Sequence, residues 1–84
     1  NPFNPSTKIE YTIPRLTGGQ AKSGFVSLKV FDVLGREVAT LVNEVKEPGR
    51  HIATWDASGV GSGVYFYRLQ AGQFSAVQKM LLVR

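Results

Sequence analysis

Apolar and polar residues alternate along most of this 84-residue chain, with a period of two instead of the 3.6 residues of a helix. The segments Lys8 to Ile13 and Val26 to Val30 show the alternation most clearly. A period of two is typical of a β-strand that has one face in a core and the other in water. The chain is therefore predicted to fold as β-structure without helices.

The pattern predicts six strands, and a seventh short strand is considered near Val45 or in the opening segment. The apolar spacing between Val38 and Val42 breaks strict alternation, so a β-bulge is expected near Ala39 and Thr40. Short strands separated by turns favour a small antiparallel β-sandwich. The predicted strands cover residues 8–13, 26–30, 36–43, 50–56, 63–70 and 73–83.

The connections between these strands carry turn-forming residues. Asp32 to Gly35 has Asp first and Gly fourth, as in a type I turn, and Gly35 can take the left-handed conformation of a hairpin with a bulge. Glu47 to Arg50 has Pro second and Gly third, as in a type II turn. Similar signals occur at Asp56 to Gly59 (type I), at Ala71 and Gly72 (hairpin tip) and from Leu16 to Gly24 (glycine-rich loop).

The fifth strand shows which face is expected to lie inside. Arg68 shares a face with Val64 and Phe66, and an unpaired arginine is costly to bury. The opposite face of this strand is therefore assigned to the core. The predicted core comprises Ile9, Tyr11, Ile13, Val26, Leu28, Val30, Trp55, Tyr65, Tyr67, Leu69, Met80 and Leu82.

Composition limits the classes of partner. The length fits one domain with a modest core, and the absence of cysteine excludes disulfides and thiolate metal sites. The net charge is +4, but the ten Lys and Arg residues are spread along the chain, which argues against a nucleic-acid partner. No apolar run approaches the ~20 residues of a membrane helix, so no membrane span is predicted.

No group of residues predicts catalysis, a metal site or a cofactor. His51 is the only histidine, and a catalytic triad would have to recruit Asp56 with Ser58 or Ser62. The nucleophile elbow of such sites is absent, and a metal site would need three or four clustered ligands. The segment Asp56 to Gly63 resembles a calcium loop slightly, but it holds one carboxylate. Its glycines are better explained by a chain crossing between two sheets.

The aromatic residues leave a sugar-binding platform as an alternative. Such a platform needs aromatic rings exposed on one face, whereas Trp55 and the run Tyr65-Phe66-Tyr67 are divided between faces. Core positions are therefore favoured for most of them. Phe66 and Phe31 are expected to be the most exposed aromatic residues and to contribute to a partner-binding patch.

Several segments occur in an order and spacing that match a known family. They are Asn1 to Thr7, Val30 to Val38, Pro48-Gly49, Trp55 to Gly59, Ser62 to Leu69 and Lys79 to Val83. Together they resemble the type A C-terminal sorting domain of proteins exported by type IX secretion. The chain is also similar to the related immunoglobulin-like domain of flagellar hook-capping proteins.

This resemblance implies a fold and a function. The fold would be an all-β, small antiparallel immunoglobulin-like β-sandwich of six to seven strands. The domain would be a non-enzymatic signal at the C-terminus of a larger exported protein, its cargo. The cargo would cross the periplasm, pass the outer-membrane type IX translocon and reach the cell surface or the medium. A sortase-like surface peptidase would then remove the domain, and the cargo would be released or anchored at the surface.

The resemblance also implies roles for particular residues. Residues 1–84 would form one domain, with residues 1–6 as the end of a linker. Gly35, Trp55, Gly63 and Tyr65 would be structural. Translocon recognition would fall on Lys79, Met80, Leu81, Leu82, Val83 and Arg84. The cargo junction, with processing at or before it, would fall on Asn1, Pro2, Phe3, Asn4 and Pro5.

Two features of the chain leave other interpretations open. Its only methionine is Met80 and it begins at Asn1, so it is expected to be a piece of a longer protein. The last predicted strand ends near Arg84, where an edge strand offers backbone groups to a partner sheet or to a second copy. The alternatives to a sorting signal are a structural or adhesive immunoglobulin-like module, of the spacer or hook-capping kind, and a carbohydrate-binding module.

Overall fold

The computed structural model describes residues 6–14 and 24–83, and these residues form six β-strands and no helix. Every strand pair is antiparallel. The strands are β1 Ser6–Ile13, β2 Gly24–Phe31, β3 Glu37–Lys46, β4 Gly49–Asp56, β5 Gly63–Ala71 and β6 Phe74–Leu82.

The strands form two sheets, one of four strands in the order β3-β2-β5-β6 and one of two strands, β1-β4. In immunoglobulin-like sandwiches, strands C′, C, F and G form one sheet, and strands B and E pair in the other. The order found here matches that arrangement, with β6 in the place of strand G. The predicted all-β immunoglobulin-like sandwich is therefore confirmed, with six strands in the described part of the chain.

Strand boundaries lie within two residues of those predicted, except at the C-terminal end of β3. β3 runs to Lys46 instead of ending at Asn43, so Val45 belongs to β3 and not to a separate short strand. The register between β2 and β3 shifts twice and leaves Val38 and Leu41 of β3 without a partner residue. The bulge expected near Ala39 and Thr40 is therefore confirmed, as two irregularities that flank these residues.

The core lies between the two sheets. Ten of the twelve predicted core residues are buried, and Tyr67 and Met80 are partly buried against the same cluster. The inward face of β5 is the predicted one, because Tyr65 and Leu69 are buried while Arg68 is exposed. The sequence pattern did not identify Val42, Ala53, Ala57 and Ala71, which are also buried.

Trp55 and Tyr65, which are both buried, make a contact between the two sheets. The Trp55 ring on β4 and the Tyr65 ring on β5 meet edge to face, with centroids 5.2 Å apart and planes at 71°. The Tyr65 hydroxyl donates a hydrogen bond to the carbonyl oxygen of Gly61, at 2.7 Å. A tyrosine near the start of strand F that bonds upstream backbone is the tyrosine corner of immunoglobulin-like domains. It fixes the chain where it crosses between the sheets.

Asp32 organises the turn between β2 and β3. Its Oδ1 accepts hydrogen bonds from the backbone N–H groups of Leu34 and Arg36, each at 2.9 Å. Its Oδ2 accepts one from Nε of Arg36, at 2.8 Å. The Arg36 backbone hydrogen bond, followed by the Arg36 side chain, holds the pKa of the Asp32 carboxyl below its usual value. The backbone N–H of Gly35 donates to the Asp32 carbonyl at 3.0 Å, as the predicted type I turn requires.

Two other turns differ in detail from the prediction. The turn after β4 is closed by a hydrogen bond from the Val60 N–H to the Ala57 carbonyl, so it begins one residue later than expected. The reason is that Asp56 still belongs to β4, and its side chain accepts a bond from the Ser58 N–H instead. The last hairpin turns at Gly72 and residue 73, and Gly72 has a φ of 62°.

Some predictions concern residues at the limits of the described ranges. Ser6, placed at the linker end by the sequence, already pairs with Asp56 as the first residue of β1. The cargo junction from Asn1 to Pro5, residues 16–23 of the predicted loop and Arg84 lie outside the described residues, whereas Gly24, predicted as the end of that loop, begins β2.

Gly35→Ala tests the turn between β2 and β3. Gly35 has a φ of 83°, and a Cβ added there would meet nothing within 4 Å, so the cost is purely one of backbone conformation. We expect a loss of about 1–2 kcal/mol in the free energy of unfolding, measured by urea denaturation. Gly59→Ala is the matched control, because Gly59 lacks a positive φ and its Cβ would also meet open space. Equal losses for the two variants would contradict this account.

Tyr65 offers a second test. Tyr65→Phe removes only the hydrogen bond to Gly61 and should cost about 1 kcal/mol of unfolding free energy. Tyr65→Ala also removes the contact with Trp55 and should cost about 3 kcal/mol or more. Tyr67→Phe, on the same strand, is the control for loss of a hydroxyl. Thermal melts that Tyr65→Ala barely changes would show that this ring does not support the core.

Candidate functional site

β6 is an edge strand of the four-stranded sheet. It pairs with β5 in an unbroken register, from Gly63 opposite Leu82 to Ala71 opposite Phe74. In the described part of the chain, no strand pairs with its other edge. The predicted recognition residues from Lys79 to Leu82 lie in β6, Val83 follows directly, and Arg84 is outside the described residues.

The two edges of the four-stranded sheet differ in regularity. β3, at one edge, has two register shifts against β2, and such bulges interrupt the backbone groups that another strand would need. β6, at the other edge, has no shift against β5. Of these two edges, β6 is therefore the one better suited to accept an added strand.

The side chains of β6 form two rows with different roles. Leu82 is buried and Met80 is partly buried against the core. Leu81 and Val83 point to the other side and are 71% and 74% exposed. Lys79 belongs to this outer row and is exposed. The recognition segment predicted from sequence thus divides into an inner row that completes the fold and an outer row that a partner can reach.

The outer face of the four-stranded sheet carries a shallow open groove of about 330 Å³. The strand register aligns Phe31, Phe66 and Lys79 across β2, β5 and β6. Arg68 and Val77 face each other in the neighbouring row. The groove is lined by Phe31, Phe66, Arg68 and Val77 and by the turn residues Asp32, Val33 and Gly35. We call it the outer groove.

Phe31 and Phe66 are each half-buried, whereas Phe25 is 57% exposed. The prediction that Phe31 and Phe66 would be the most exposed aromatic residues is therefore wrong. The Arg68 guanidinium lies over the Phe31 ring, and Phe66 has Phe31 and Lys79 opposite it on the two neighbouring strands. Phe25 lies near the start of β2. Phe31 and Phe66 do, however, line the outer groove together.

Near the outer groove, the acidic side chains have salt-bridge partners, whereas two of the basic side chains do not. The Arg68 guanidinium lies over the Phe31 ring, 5.2 Å from its centroid, in a cation–π contact. Glu37 accepts a hydrogen bond from the Thr40 hydroxyl at 2.6 Å and lies 3.6 Å from Nζ of Lys29. The Thr40 hydrogen bond first, and Lys29 second, hold the pKa of the Glu37 carboxyl below its usual value. Among the described residues, neither Arg68 nor Lys79 forms an ion pair with a carboxylate.

His51 has a structural environment instead of a catalytic one. Its ring stacks on Tyr11, with centroids 5.5 Å apart, and its Nε2 donates to the Glu47 carbonyl at 2.8 Å. Asp56 is five residues along the same strand, which corresponds to about 16 Å and to the opposite face. Burial raises the pKa of the Tyr11 hydroxyl, which has no hydrogen-bond partner among the described residues. The arrangement does not bring His51 and Asp56 together.

The remaining alternatives also lack a site in the described ranges. No group of three or more His, Cys, Asp or Glu side chains there is placed to hold a metal ion. Trp55 and Tyr65 are buried, so they cannot present a sugar-stacking platform. Residues 6–14 and 24–83 also contain no helix long and apolar enough to cross a membrane.

Comparison with protein families matches residues 1–83 to the secretion system C-terminal sorting domain. The chain belongs to this family. No curated protein and no solved structure matches the chain. The order and spacing of the sequence motifs predicted a type IX secretion sorting domain, and this match confirms that prediction.

Membership in the sorting-domain family gives the domain a role. It is a C-terminal sorting signal for a cargo protein that the type IX system exports to the cell surface or beyond. Sorting domains are in general signals and not catalysts. The recognition residues from Lys79 onward, the junction at Asn1 to Pro5 and the similarity to hook-capping domains stay predictions.

The sequence pattern did not identify the outer groove. The period of two places Phe31, Phe66 and Val77 on outward faces of their own strands, but it does not reveal which strands are neighbours. The groove exists because β2, β5 and β6 lie side by side although 31 residues separate the end of β2 from the start of β5. Val33, in the turn between β2 and β3, is exposed and lines the outer groove. Because turns are usually polar, an apolar residue at this position was a local sign of an apolar surface site.

The two rows of β6 predict different effects of truncation on stability. Leu82→Ala should lower the free energy of unfolding by about 2–4 kcal/mol, because Leu82 is buried in the core. Leu81→Ala should change it by less than about 0.5 kcal/mol, because that side chain is exposed. Urea denaturation of both variants measures the difference. Similar losses would show that the two rows are assigned to the wrong faces.

Proposed function

We propose that this domain directs an upstream cargo through the outer-membrane type IX translocon, and that the translocon recognises β6. The edge of β6 is regular, and no strand of the described residues pairs with it; this edge, combined with the exposed outer row, is the observation that supports the proposal. An edge strand presents backbone N–H and C=O groups to a strand of a partner sheet. Main-chain hydrogen bonds then supply affinity, and alternate side chains supply specificity.

One strand can serve folding and recognition because its two faces are separate. The inner row, with Met80 and Leu82, stays in the core while a partner contacts the free edge and the outer row. No unfolding of the domain is then needed for recognition. A partner that instead read Met80 and Leu82 would have to remove β6 from the sheet and expose the core.

The finer steps of export follow from the same proposal. The cargo, folded in the periplasm, would precede Asn1 and would be carried to the cell surface with the domain. A sortase-like surface peptidase would then cleave at or before the segment Asn1 to Pro5, and the cargo would be released or anchored. The start of β1 at Ser6 supports this placement, because cleavage before Ser6 would leave the sandwich intact.

The test uses a reporter protein fused upstream of the 84-residue chain in a bacterium with a working type IX system. The measured quantity is the fraction of reporter outside the cell. Removal of residues 80–84 should abolish export. The double variant Leu81→Ser with Val83→Ser should reduce export by about tenfold while the melting temperature stays unchanged, because both side chains are exposed.

The control is the double variant Val45→Ser with Ile52→Ser. Both residues are about as exposed as the outer row of β6, but they lie on β3 and β4. Export of this variant should equal that of the unaltered fusion. If export survives removal of residues 80–84, the terminal strand is not the signal.

A further inference from the structure

Exposed large apolar side chains are concentrated on one side of the sandwich. Of the eight among the described residues, seven lie on the four-stranded sheet, in its turn between β2 and β3, or directly after β6. Ile52, on β4, is the eighth. Apolar groups that cluster on one face and are bordered by charges are typical of protein–protein contact sites. This asymmetry distinguishes the outer face of the larger sheet from the rest of the surface.

The outer groove gives this face a shape that suits a side chain of a partner. Phe31, Phe66 and Val77 supply apolar walls, and the volume of about 330 Å³ is at the lower end of those of ligand pockets. The groove is shallow and open, which suits a side chain from an extended segment better than an enclosed small molecule. Val77 lies on β6, so the groove is continuous with the edge that the proposed function uses.

The charges around the groove favour an acidic occupant. Asp32 forms a salt bridge with Arg36, and Glu37 lies 3.6 Å from Nζ of Lys29, so each of these carboxylates already has a cation beside it. Neither Arg68 nor Lys79 forms a salt bridge within 4 Å of a carboxylate among the described residues, although the charge of Arg68 contributes to lowering the pKa of Glu37. Arg68 is also held in place over Phe31, so its guanidinium is positioned before a partner arrives. The net effect is a positive charge beside an apolar groove.

The same charges argue against a second copy of this chain as the occupant. Lys79 is the only charged residue of β6, and the strand contains no Asp or Glu. Pairing two copies through β6 would bring one lysine from each copy into the same interface without a compensating carboxylate on either strand. Like charges that face each other across strands are destabilising.

We propose that the outer groove seats an apolar side chain of an extended, acidic segment of a partner protein, whose carboxylates pair with Lys79 and Arg68. The inference rests on the proposed function and deepens it, because it states the chemistry that the β6 partner must carry. A partner strand beside β6 would offer backbone hydrogen bonds at the edge, and the groove would select among strands by shape and charge.

The test again measures export of a reporter fused to the 84-residue chain. Lys79→Glu and Val77→Ser, both at exposed positions, should each lower the exported fraction by about fivefold or more. Lys79→Arg should retain export, because it keeps the charge. The matched controls on the smaller sheet are Lys8→Glu and Ile52→Ser, which should leave export unchanged. Thermal melts of the purified variants verify that all of them fold.

Two further measurements on the purified chain separate the possible occupants. Sedimentation velocity should show a monomer, and flotation with phosphatidylglycerol vesicles should leave the chain unbound. A dimer that Val77→Ser dissociates would identify a second copy as the occupant and overturn the proposal. Vesicle binding that Lys79→Glu abolishes would identify a lipid surface and would also overturn it.

The export results distinguish two kinds of failure. If the unaltered fusion is not exported, the proposed function is wrong and the inference falls with it. If the unaltered fusion is exported and Lys79→Glu and Val77→Ser behave like their controls, the sorting function stands and the assignment of the outer groove is wrong.

Discussion

The edge-to-face contact between Trp55 and Tyr65 is the interaction on which the rest of the domain depends. An isolated two-stranded sheet such as β1-β4 is at best marginally stable in water. It must therefore bury its apolar face against the larger sheet, and the Trp55–Tyr65 pair is an aromatic contact that crosses that boundary. The hydrogen bond from Tyr65 to Gly61 fixes the crossing segment as well, so one side chain joins both sheets and their connection.

This dependence constrains the recognition of β6 that we propose. Tyr65 on β5 is paired with Met80 on β6. Removing β6 from the sheet would therefore take away a neighbour of the buried Tyr65 ring. A small domain has little stability to spare for such a change. Recognition through the free edge and the outer row of β6 leaves the Tyr65 contacts intact. The core therefore favours a partner that adds to the sheet over one that displaces a strand.

Sequence periodicity predicts which residues form each strand and which of them face the core, but it does not predict which strands pair with each other. The alternation around Ile9, Val26 and Tyr65 identified the inward faces. In a half-buried strand every second side chain faces the core, so the apolar pattern can be read from neighbouring residues. The pairing of β2 with β5 joins residues far apart in sequence, and no local pattern encodes it. For this reason the core and the terminal strand could be predicted, while the outer groove, made by three strands and a turn, could not.

Backbone pairing at an edge has little specificity, because every strand offers the same donors and acceptors. A sorting signal must nevertheless be distinguished from the many edge strands of proteins that are not cargo. Under the proposed recognition of β6, specificity would therefore come from side chains next to the edge, where Val77, Lys79 and Leu81 lie on the outer face. The bulged register of β3 makes the opposite edge a poorer template for strand addition. A partner strand would thus have a single orientation in which it makes backbone hydrogen bonds to the regular edge of β6, places its acidic side chains near the basic ones and fills the apolar groove.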